Sequence, residues 1–338
     1  MTRIGPKTTA LVLGATGGIG GAVMEGLVGR GATVRALSRN AGAAADRNRL
    51  VDWRQGDAME AKDVLDAAKG VDIIVHAVNP PRYRHWDRLV LPMLENTIAA
   101  ARATGATILL PGTTYNFGPD AFPLIEDDAP QNPMTSKGRI RKAMEDRLRA
   151  AADEGVRSIV LRAGDFFGAG AGNSWFAQVL VSPGRPVNTI TLPGDAGIGH
   201  QWAYLPDVAA AMLGLLDRRD SLNAFEAAQF GGTWDADGLV LARSISRVLG
   251  RSDIKLRGFP WWTLPFAAPF SETVREIRKM RYLWRQPVQM DNAKLISLIG
   301  EEPQTPLDQA VYATLRGLGC LQPDHMVRRA GEPRALLG

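Results

Sequence analysis

Cysteine is almost absent from this chain of 338 residues, since Cys320 is the only one. A single thiol forms no intrachain disulfide and supplies no cysteine-based metal site, which is typical of proteins from a reducing compartment. The four histidines lie far apart in the sequence, and no acidic pair accompanies them at ligand spacing. We therefore expect no metal centre.

Long hydrophobic runs are also missing. The apolar segment 259–270 is short and interrupted by prolines, so it falls below the roughly 20 apolar residues that a membrane-spanning helix needs. The first predicted strand begins so close to residue 1 that no room is left for a secretory signal peptide. We therefore expect a cytoplasmic protein without a membrane partner.

A strong charge of either sign is absent as well. Forty Lys and Arg residues against 35 Asp and Glu leave a net charge of +5, without a long basic run. Nucleic-acid-binding proteins need a basic stripe or a recognition motif, so we expect no nucleic-acid partner. The basic residues at 137–142 keep RNA or DNA binding as a weaker alternative, which steeply salt-dependent binding would reveal.

Short apolar runs alternate with helical stretches over the first half of the chain. Hydrophobic residues make up 45% of the sequence, which is enough for a large core. The runs 8–13, 33–37, 71–77, 107–110 and 159–161 have the character of strands separated by helices. This alternation predicts an α/β fold, a doubly wound parallel sheet of the Rossmann type with helices on both faces.

The turn after the first predicted strand has the spacing of a dinucleotide fingerprint. Gly14 permits the tight turn, Gly17 lets the backbone approach a pyrophosphate, and Gly20 lets the following helix pack closely on the strand. The helix N-terminus offers backbone N–H groups and a positive dipole end to phosphates. The predicted cofactor contacts in this turn are Gly14, Thr16, Gly17, Gly18, Ile19 and Gly20.

The end of the second predicted strand bears on the choice between NADP and NAD. An acidic residue there would bind the adenosine ribose, whereas arginine suits a 2′-phosphate. The sequence reads Ser38-Arg39-Asn40, without Asp or Glu. Arg39 therefore favours NADP, with NAD as the alternative.

The pattern after residue 164 is different, with many loops and several tryptophans. We predict that residues 1–168 form the NAD(P)-binding domain, with a helix at 206–219 packing back on it. Residues 169–205 and 220–330 are predicted to form a smaller C-terminal substrate lobe. Five aromatic residues of this part indicate either an apolar substrate pocket or simply the core of the lobe. They are Trp175, Phe176, Trp202, Trp261 and Trp262.

The chain resembles the short-chain dehydrogenase/reductase superfamily, in particular its extended and atypical members of the NAD-dependent epimerase/dehydratase type. The resemblance covers nearly the whole chain and depends on the segments 14–20, 76–79, 113–118, 161–168 and 202–209. It implies that Asp57 and Ala58 contact the adenine and that Ala77 and Asn79 lie on the nicotinamide side. It also implies a catalytic role for Thr113, and it is compatible with a homodimer.

The helix after Pro133 departs from the family pattern of a tyrosine followed by a lysine four residues later. We align the chain with this pattern in a frame set by Pro133, which we call the family frame. Gly138 and Glu145 also fit this frame, which places Lys137 in the tyrosine position and Arg141 in the lysine position. A frame shifted by one residue would instead place Gly138 in the tyrosine position and Lys142 in the lysine position. Neither frame contains a phenol.

Several side chains are candidates for the missing proton donor. Lys137 and Arg141 share a helix face, and their mutual repulsion would lower the pKa of a partly buried Lys137, so that its ammonium group becomes a usable acid. The same pair could instead bind an anionic group of the substrate, and Arg141 could bind the nicotinamide ribose. Tyr115 is a further donor candidate. We interpret His85 and His200 as polar surface groups, with proton shuttling as the alternative.

Two functions remain open from the sequence. The first is an atypical NAD(P)-dependent oxidoreductase or epimerase-like enzyme that acts on a small carbonyl or alcohol compound, with an apolar or anionic substrate. The second is a catalytically silent NADP-binding sensor or regulatory protein. Dehydratase chemistry is disfavoured, because the resemblance implies Asp-Glu after the catalytic threonine and the sequence has Thr114-Tyr115.

Overall fold

The structure is a computed structural model that describes residues 3–80, 86–270 and 272–321. The strands are β1 (Thr9–Leu13), β2 (Thr33–Ser38), β3 (Asp52–Gln55), β4 (Ile73–His76), β5 (Thr107–Pro111), β6 (Leu124–Ile125), β7 (Ser158–Arg162), β8 (Asp165–Phe167), β9 (Thr189–Leu192), β10 (His200–Tyr204), β11 (Phe225–Gln229), β12 (Thr233–Asp235), β13 (Lys255–Gly258) and β14 (Gln289–Met290). The helices are α1 (Gly18–Gly29), α2 (Ala41–Arg47), α3 (Ala61–Ala68), α4 (Trp86–Thr104), α5 (Ser136–Asp153), α6 (Leu205–Leu216), α7 (Val240–Leu249), α8 (Leu264–Ala267), α9 (Glu272–Lys279), α10 (Ala293–Ile299) and α11 (Leu307–Gly317).

Seven parallel strands form the central sheet in the order β3-β2-β1-β4-β5-β7-β11. The chain runs outward from β1 in one direction to β3 and then returns to β4 on the other side of β1. In such sheets a crevice opens beyond the carboxyl ends of the strands at the point where the order reverses. The predicted Rossmann-type fold is confirmed.

Helices cover both faces of this sheet. Helices α1 and α6 pack on one face and α3, α4 and α5 on the other. The alternation of side chains along β1 shows the arrangement, because Val12 packs with the α1 and α6 layer while Leu11 and Leu13 pack with the opposite layer. Burial on both faces explains why the strands of the sheet have continuous apolar sequences.

The second half of the chain builds smaller sheets beside the carboxyl ends of the central strands. These sheets have the orders β12-β10-β8, β13-β9 and β14-β6. Their hydrophobic core contains Phe167, Phe176, Trp202 and Trp284, together with side chains of α7 and α11. The division into two lobes remains a prediction, and its residues 322–330 lie outside the described part.

One segment of the predicted smaller lobe lies in the large sheet instead. Strand β11 pairs in parallel with β7 along its whole length, from Phe225 opposite Ser158 to Gln229 opposite Arg162. The sequence does not reveal this partner, because parallel pairing joins strands that are far apart in the chain. Assigning residues 225–229 to the smaller lobe was therefore wrong.

The start of helix α5 is set by a capping side chain. Thr135 caps it, since the Thr135 Oγ1 accepts a hydrogen bond from the Gly138 N–H at 3.0 Å. The first helical residue is consequently Ser136, so Lys137 lies in the first turn and Arg141 one turn later. Within the described ranges, no helix is both long and apolar enough to cross a bilayer.

Candidate functional site

A cavity of about 870 Å³ opens beside the carboxyl ends of the central strands. Its wall includes every residue that the sequence predicted for cofactor binding or catalysis. These are Gly14, Thr16, Gly17, Gly18, Ile19, Gly20, Arg39, Asp57, Ala58, Ala77, Asn79, Thr113, Tyr115, Lys137 and Arg141. The structure thus brings the predicted residues to one place, while their individual roles remain predictions.

The glycines of the turn between β1 and α1 are required by close backbone contacts. Gly14 has φ +89°, and a Cβ atom there would lie 2.5 Å from the Ala77 carbonyl oxygen. A Cβ atom at Gly20 would overlap the Gly14 carbonyl. Only glycine fits at both positions, so the turn keeps its backbone at the surface of the cavity.

The N-terminus of α1 faces this cavity without a side-chain cap. Gly17 precedes the helix in an extended conformation, and the first turn contains no acidic residue. The first N–H groups of a helix have no intrahelical acceptor, and the residues that carry them here line the cavity. This arrangement fits the binding of a phosphate group.

The loop that contains Gly170 packs against the fingerprint turn between β1 and α1. This contact was not evident from the sequence. A Cβ atom at Gly18 would lie 2.8 Å from the Gly170 carbonyl oxygen. Gly170 and Ala171 also line the cavity. Gly18 is therefore constrained by this close packing of two backbones in addition to any contact with a cofactor.

Arg39 lies at one end of the cavity, immediately after β2. Its backbone carbonyl accepts a hydrogen bond from the Gln55 Nε2 at 2.7 Å, while its side chain is exposed. None of the ion pairs between described residues includes Arg39. The guanidinium group is thus placed where it could pair with a ligand phosphate.

The loop after β3 forms the adjacent wall. The Asp57 N–H donates to the Asp63 carboxylate at 3.0 Å, and the Asp57 Oδ1 accepts from the Met59 N–H at 3.0 Å. These bonds fix the loop that carries Asp57 and Ala58. Both residues line the cavity next to Arg39, as the family resemblance implies for an adenine site.

Lys137 and Arg141 project from the same face of α5, as predicted. Lys137 is buried, and its Nζ lies 5.6 Å from the centre of the Trp86 ring, while the Arg141 guanidinium carbon lies 5.2 Å from it. The Arg141 Nη2 donates to the Asn79 Oδ1 at 3.0 Å. Two cations and the Trp86 ring therefore line the part of the cavity wall that lies between the end of β4 and α5.

The shifted frame does not describe the site. A Cβ atom at Gly138 would lie 2.7 Å from the Pro133 Cβ and would overlap the Tyr115 carbonyl, so no larger side chain fits there. The Lys142 Nζ pairs with the Asp146 carboxylate at 2.6 Å, and neither Gly138 nor Lys142 lines the cavity. Only the unshifted frame therefore places both of its residues, Lys137 and Arg141, in the cavity wall.

Thr113 and Tyr115 lie opposite α5, where β5 leads into a short 3-10 turn at Thr114–Asn116. The Thr113 Oγ1 accepts a hydrogen bond from the Tyr115 N–H at 3.3 Å. The Tyr115 hydroxyl is directed at the Asp165 carboxylate, 3.5 Å away. Thr113 and Lys137 thus line the same cavity from two different elements.

His200 is not a surface group, so that interpretation was wrong. It is buried, its Nε2 lies 2.8 Å from the Asp165 Oδ2, and its ring stacks on Trp284 with centroids 3.8 Å apart. Asp165 itself lines the cavity. Asp165 carries no assigned role from the sequence, although its position just after β7 and Gly164 is one that parallel sheets use for sites. His85 lies outside the described residues.

The predicted aromatic residues divide between pocket and core. Trp175 lines the cavity, whereas Phe176 and Trp202 are buried in the hydrophobic core of the smaller sheets. Trp261 packs beside Trp175, with ring centroids 5.8 Å apart, and Trp262 is 74% exposed. The cavity wall also contains aromatic and apolar residues that the sequence did not single out. They include Trp86, Phe259, Ile277 and Met280.

A buried ion pair anchors α5 to the sheet. Arg162, at the end of β7, donates to both Glu145 carboxylate oxygens, with the shortest contact 2.7 Å. The Asn116 Nδ2 and the Gln131 Nε2 each donate to the same carboxylate at 2.8 Å. The network therefore ties α5, which carries Lys137, to the turn that follows Thr113.

His76 is a buried neutral group in the floor of the cavity. Thr97 donates its hydroxyl hydrogen to the Met93 carbonyl at 3.1 Å, so its oxygen accepts from the His76 Nδ1 at 2.8 Å. The proton therefore lies on Nδ1. Burial, helped by the nearby Arg141 charge, lowers the pKa of His76 to about 3.

We predict that His76 makes the protein less stable at mildly acidic pH. Its folded pKa of about 3 is below the unfolded value, so the unfolded state binds the extra proton between pH 6.5 and pH 3. The free energy of unfolding should then fall by about 2 kcal/mol between pH 7 and pH 5 through this group alone. Urea unfolding of the wild type and His76→Asn at both pH values measures the difference. Equal pH dependence in the two proteins would contradict the prediction.

Comparison with known proteins agrees with this geometry. The model of the NAD-dependent epimerase/dehydratase family matches residues 10–229. A 3-diazoavenalumate denitrifying reductase from Streptomyces sp. is 29% identical over 177 residues, which are 48% of this chain and 57% of that protein. The alignment thus spans little more than half of that relative. A dTDP-4-dehydrorhamnose reductase from Streptomyces griseus is 28% identical over 78% of this chain and 83% of its own length.

Solved structures share the fold at lower identity. UDP-glucose 4-epimerase from Brucella ovis, solved in complex with NAD, has a TM-score of 0.73 at 16% identity, covering 92% of this chain and 98% of its own. A UDP-galactose 4-epimerase structure has a TM-score of 0.69 at 18% identity, with 93% and 98% coverage. The family model covers well over half of the chain and includes the fingerprint turn and α5. The chain therefore belongs to the NAD-dependent epimerase/dehydratase family.

Proposed function

We propose that this protein is an NADP-dependent reductase of a small carbonyl compound, or the NADP-dependent dehydrogenase of the corresponding alcohol. The observation that carries the proposal is that one cavity is lined by the fingerprint turn, Arg39, Thr113 and Lys137. Two relatives named as reductases support the reaction class. The catalytically silent sensor is the competing function, and the absence of the family tyrosine favours it.

The residues around the cavity fit a dinucleotide. The glycine turn leaves backbone space that a Cβ atom would fill, and an uncapped helix N-terminus faces the same space. We assign the pyrophosphate to residues 14–20, the adenine to Asp57 and Ala58, and the 2′-phosphate to Arg39. Ala77, Asn79 and Arg141 would hold the nicotinamide riboside. A bound nicotinamide cofactor supplies or accepts the hydride.

Lys137 is the group that we assign to proton transfer. It occupies the tyrosine position of the family frame, and it is buried in the wall that also contains Thr113. The Thr113 hydroxyl would bind and orient the reacting oxygen, and the Lys137 ammonium would donate a proton to it as the carbonyl becomes an alcohol. Tyr115 is the weaker candidate, because its hydroxyl is directed at Asp165.

Removing the Lys137 ammonium is expected to lower kcat strongly. General acid catalysis contributes about a hundredfold to ten-thousandfold in rate, so Lys137→Met should lose about that much turnover. Tyr115→Phe should have a smaller effect. The measurement is NADPH oxidation with a panel of carbonyl compounds, to which we add a diazo compound because of the name of the first relative.

Lys142→Met is the matched control for that experiment. Lys142 lies on the same helix, does not line the cavity and pairs with Asp146 on the surface, so kcat should stay unchanged. If Tyr115→Phe alone abolishes turnover, Tyr115 is the donor and the assignment to Lys137 is wrong. If the wild type binds NADPH but reduces nothing in the panel, the silent sensor is the better function.

Arg39 is expected to set the preference for NADP over NAD. A charge-assisted hydrogen bond is worth about 1.5–3 kcal/mol, so Arg39→Ser should weaken NADPH binding about tenfold to a hundredfold and leave NADH binding nearly unchanged. Titration of protein fluorescence with each cofactor gives both dissociation constants. Arg49→Ser, an exposed change outside the cavity, controls for the loss of one surface charge. Equal losses for NADPH and NADH would refute the role of Arg39.

A further inference from the structure

The part of the cavity away from the fingerprint turn has an aromatic and apolar wall. Trp175 precedes the short helical turn Phe176–Leu180, Phe259 follows β13, and Ile277 and Met280 come from α9 and the turn after it. We call Trp175, Phe259, Ile277 and Met280 the aromatic wall. Its members come from three separate stretches of the chain, near residues 175, 259 and 277–280, so their meeting at one surface is a product of the fold.

Neighbouring rings hold the aromatic wall in place. Trp175 packs edge-on against Trp284 at a centroid distance of 5.1 Å, and Phe259 packs edge-on against Trp261 at 4.8 Å. The Trp261 Nε1 donates to the Pro193 carbonyl at 2.7 Å, which fixes the ring that supports Phe259. A rigid wall loses little conformational freedom when a flat ligand packs on it.

One carboxylate lies beside this wall. Asp165 lines the cavity, is only 9% exposed and is bonded to His200, whose ring stacks on the same Trp284 that supports Trp175. The Tyr115 hydroxyl lies 3.5 Å from the other Asp165 oxygen. A carboxylate accepts hydrogen bonds from hydroxyl or amino groups and repels phosphates.

Positive charge is placed elsewhere in the cavity. Among the described residues that line it, the cationic side chains are Arg39, Lys137 and Arg141. Arg39 lies at the adenosine end, and the other two project from α5 beside Trp86. A nucleoside diphosphate on the aromatic wall would therefore meet a carboxylate and aromatic rings instead of arginines.

We propose that the substrate of this reductase is an aromatic compound whose ring packs on Trp175 and Phe259 and carries a hydroxyl or amino group that donates to Asp165. The inference names the substrate class of the proposed function and rests on it. It sets this chain apart from a nucleotide-sugar enzyme, although one solved structure with this fold is a complex with UDP-glucose and NAD.

Calorimetry on the protein loaded with NADPH tests the proposal. The probes are 4-hydroxybenzyl alcohol, benzyl alcohol and cyclohexylmethanol, which are matched in size and cannot be reduced further by the loaded cofactor. We expect benzyl alcohol to bind about tenfold more tightly than cyclohexylmethanol and the hydroxyl group to add about another tenfold. UDP-glucose should not displace 4-hydroxybenzyl alcohol.

Two variants separate the ring contact from the hydrogen bond. Phe259→Ala should reduce the benzyl over cyclohexyl preference, whereas Trp262→Ala, an exposed neighbour outside the cavity, should not. Asp165→Asn should reduce the advantage of the hydroxyl group, because a neutral amide oxygen is a weaker acceptor than a carboxylate, and it should leave the benzyl preference intact. A merely structural effect of Asp165 would instead weaken all three probes equally, and that result would overturn the assignment.

The remaining outcomes are also decisive. Equal binding of the aromatic and aliphatic probes, or competition by UDP-glucose, would overturn the aromatic substrate. Failure to bind NADPH, measured first in the same calorimeter, would overturn the proposed function itself. The two failures are therefore distinguishable in one set of titrations.

Discussion

Gly14→Ala is expected to abolish useful NADPH binding while leaving a folded protein. The φ of +89° disfavours an L side chain by about 1–2 kcal/mol, and the added Cβ would lie 2.5 Å from the Ala77 carbonyl oxygen. The turn must move to relieve this overlap, and it then no longer presents its N–H groups to the phosphates. We expect the NADPH dissociation constant to rise by at least about a hundredfold, as measured by fluorescence titration.

Gly29→Ala is the matched control in the same helix. Gly29 is the last residue of α1, and a Cβ atom there would meet nothing within 4 Å. Alanine is the better helix former, so the free energy of unfolding should be unchanged or higher by up to about 1 kcal/mol. NADPH binding should equal that of the wild type. If Gly14→Ala also binds like the wild type, the fingerprint turn is not the phosphate site.

The sheet was predictable because its strands are buried on both faces and are therefore apolar without interruption. Such runs, separated by helices, leave few alternatives to a parallel sheet. The position of β11 was not predictable in the same way. Its partner β7 lies 67 residues earlier in the chain, with Phe225 opposite Ser158, and nothing in the local sequence identifies that partner.

The site was predictable where its chemistry is local. The spacing of Gly14, Gly17 and Gly20 encodes a turn, and the i and i+4 spacing of Lys137 and Arg141 encodes a shared helix face. The contact between Asp165 and His200 joins residues of different strands, and the aromatic wall joins three separate stretches of the chain. Those contacts depend on packing, which a single sequence does not specify.

Breaking the buried Arg162 and Glu145 pair is expected to have the largest effect on stability. Arg162→Met would leave the carboxylate, 2% exposed as a residue, without its cation. Loss of one partner of a buried pair costs about 3–5 kcal/mol, so the urea midpoint should fall sharply. Arg247→Met is the matched control, because its ion pair with Asp308 is exposed and should change the free energy of unfolding by at most about 1 kcal/mol.

The double variant Arg162→Met with Glu145→Leu tests why the single change is costly. If the loss of stability in Arg162→Met comes from the buried Glu145 carboxylate that is left without a cation, the double variant should be more stable than Arg162→Met alone. The Asn116 side chain loses its acceptor in the double variant, which offsets part of this gain. Turnover should fall in both variants, since the network holds α5, with Lys137, against the turn that follows Thr113. Wild-type kcat in a destabilised Arg162→Met protein would show that the network supports the fold without positioning the site.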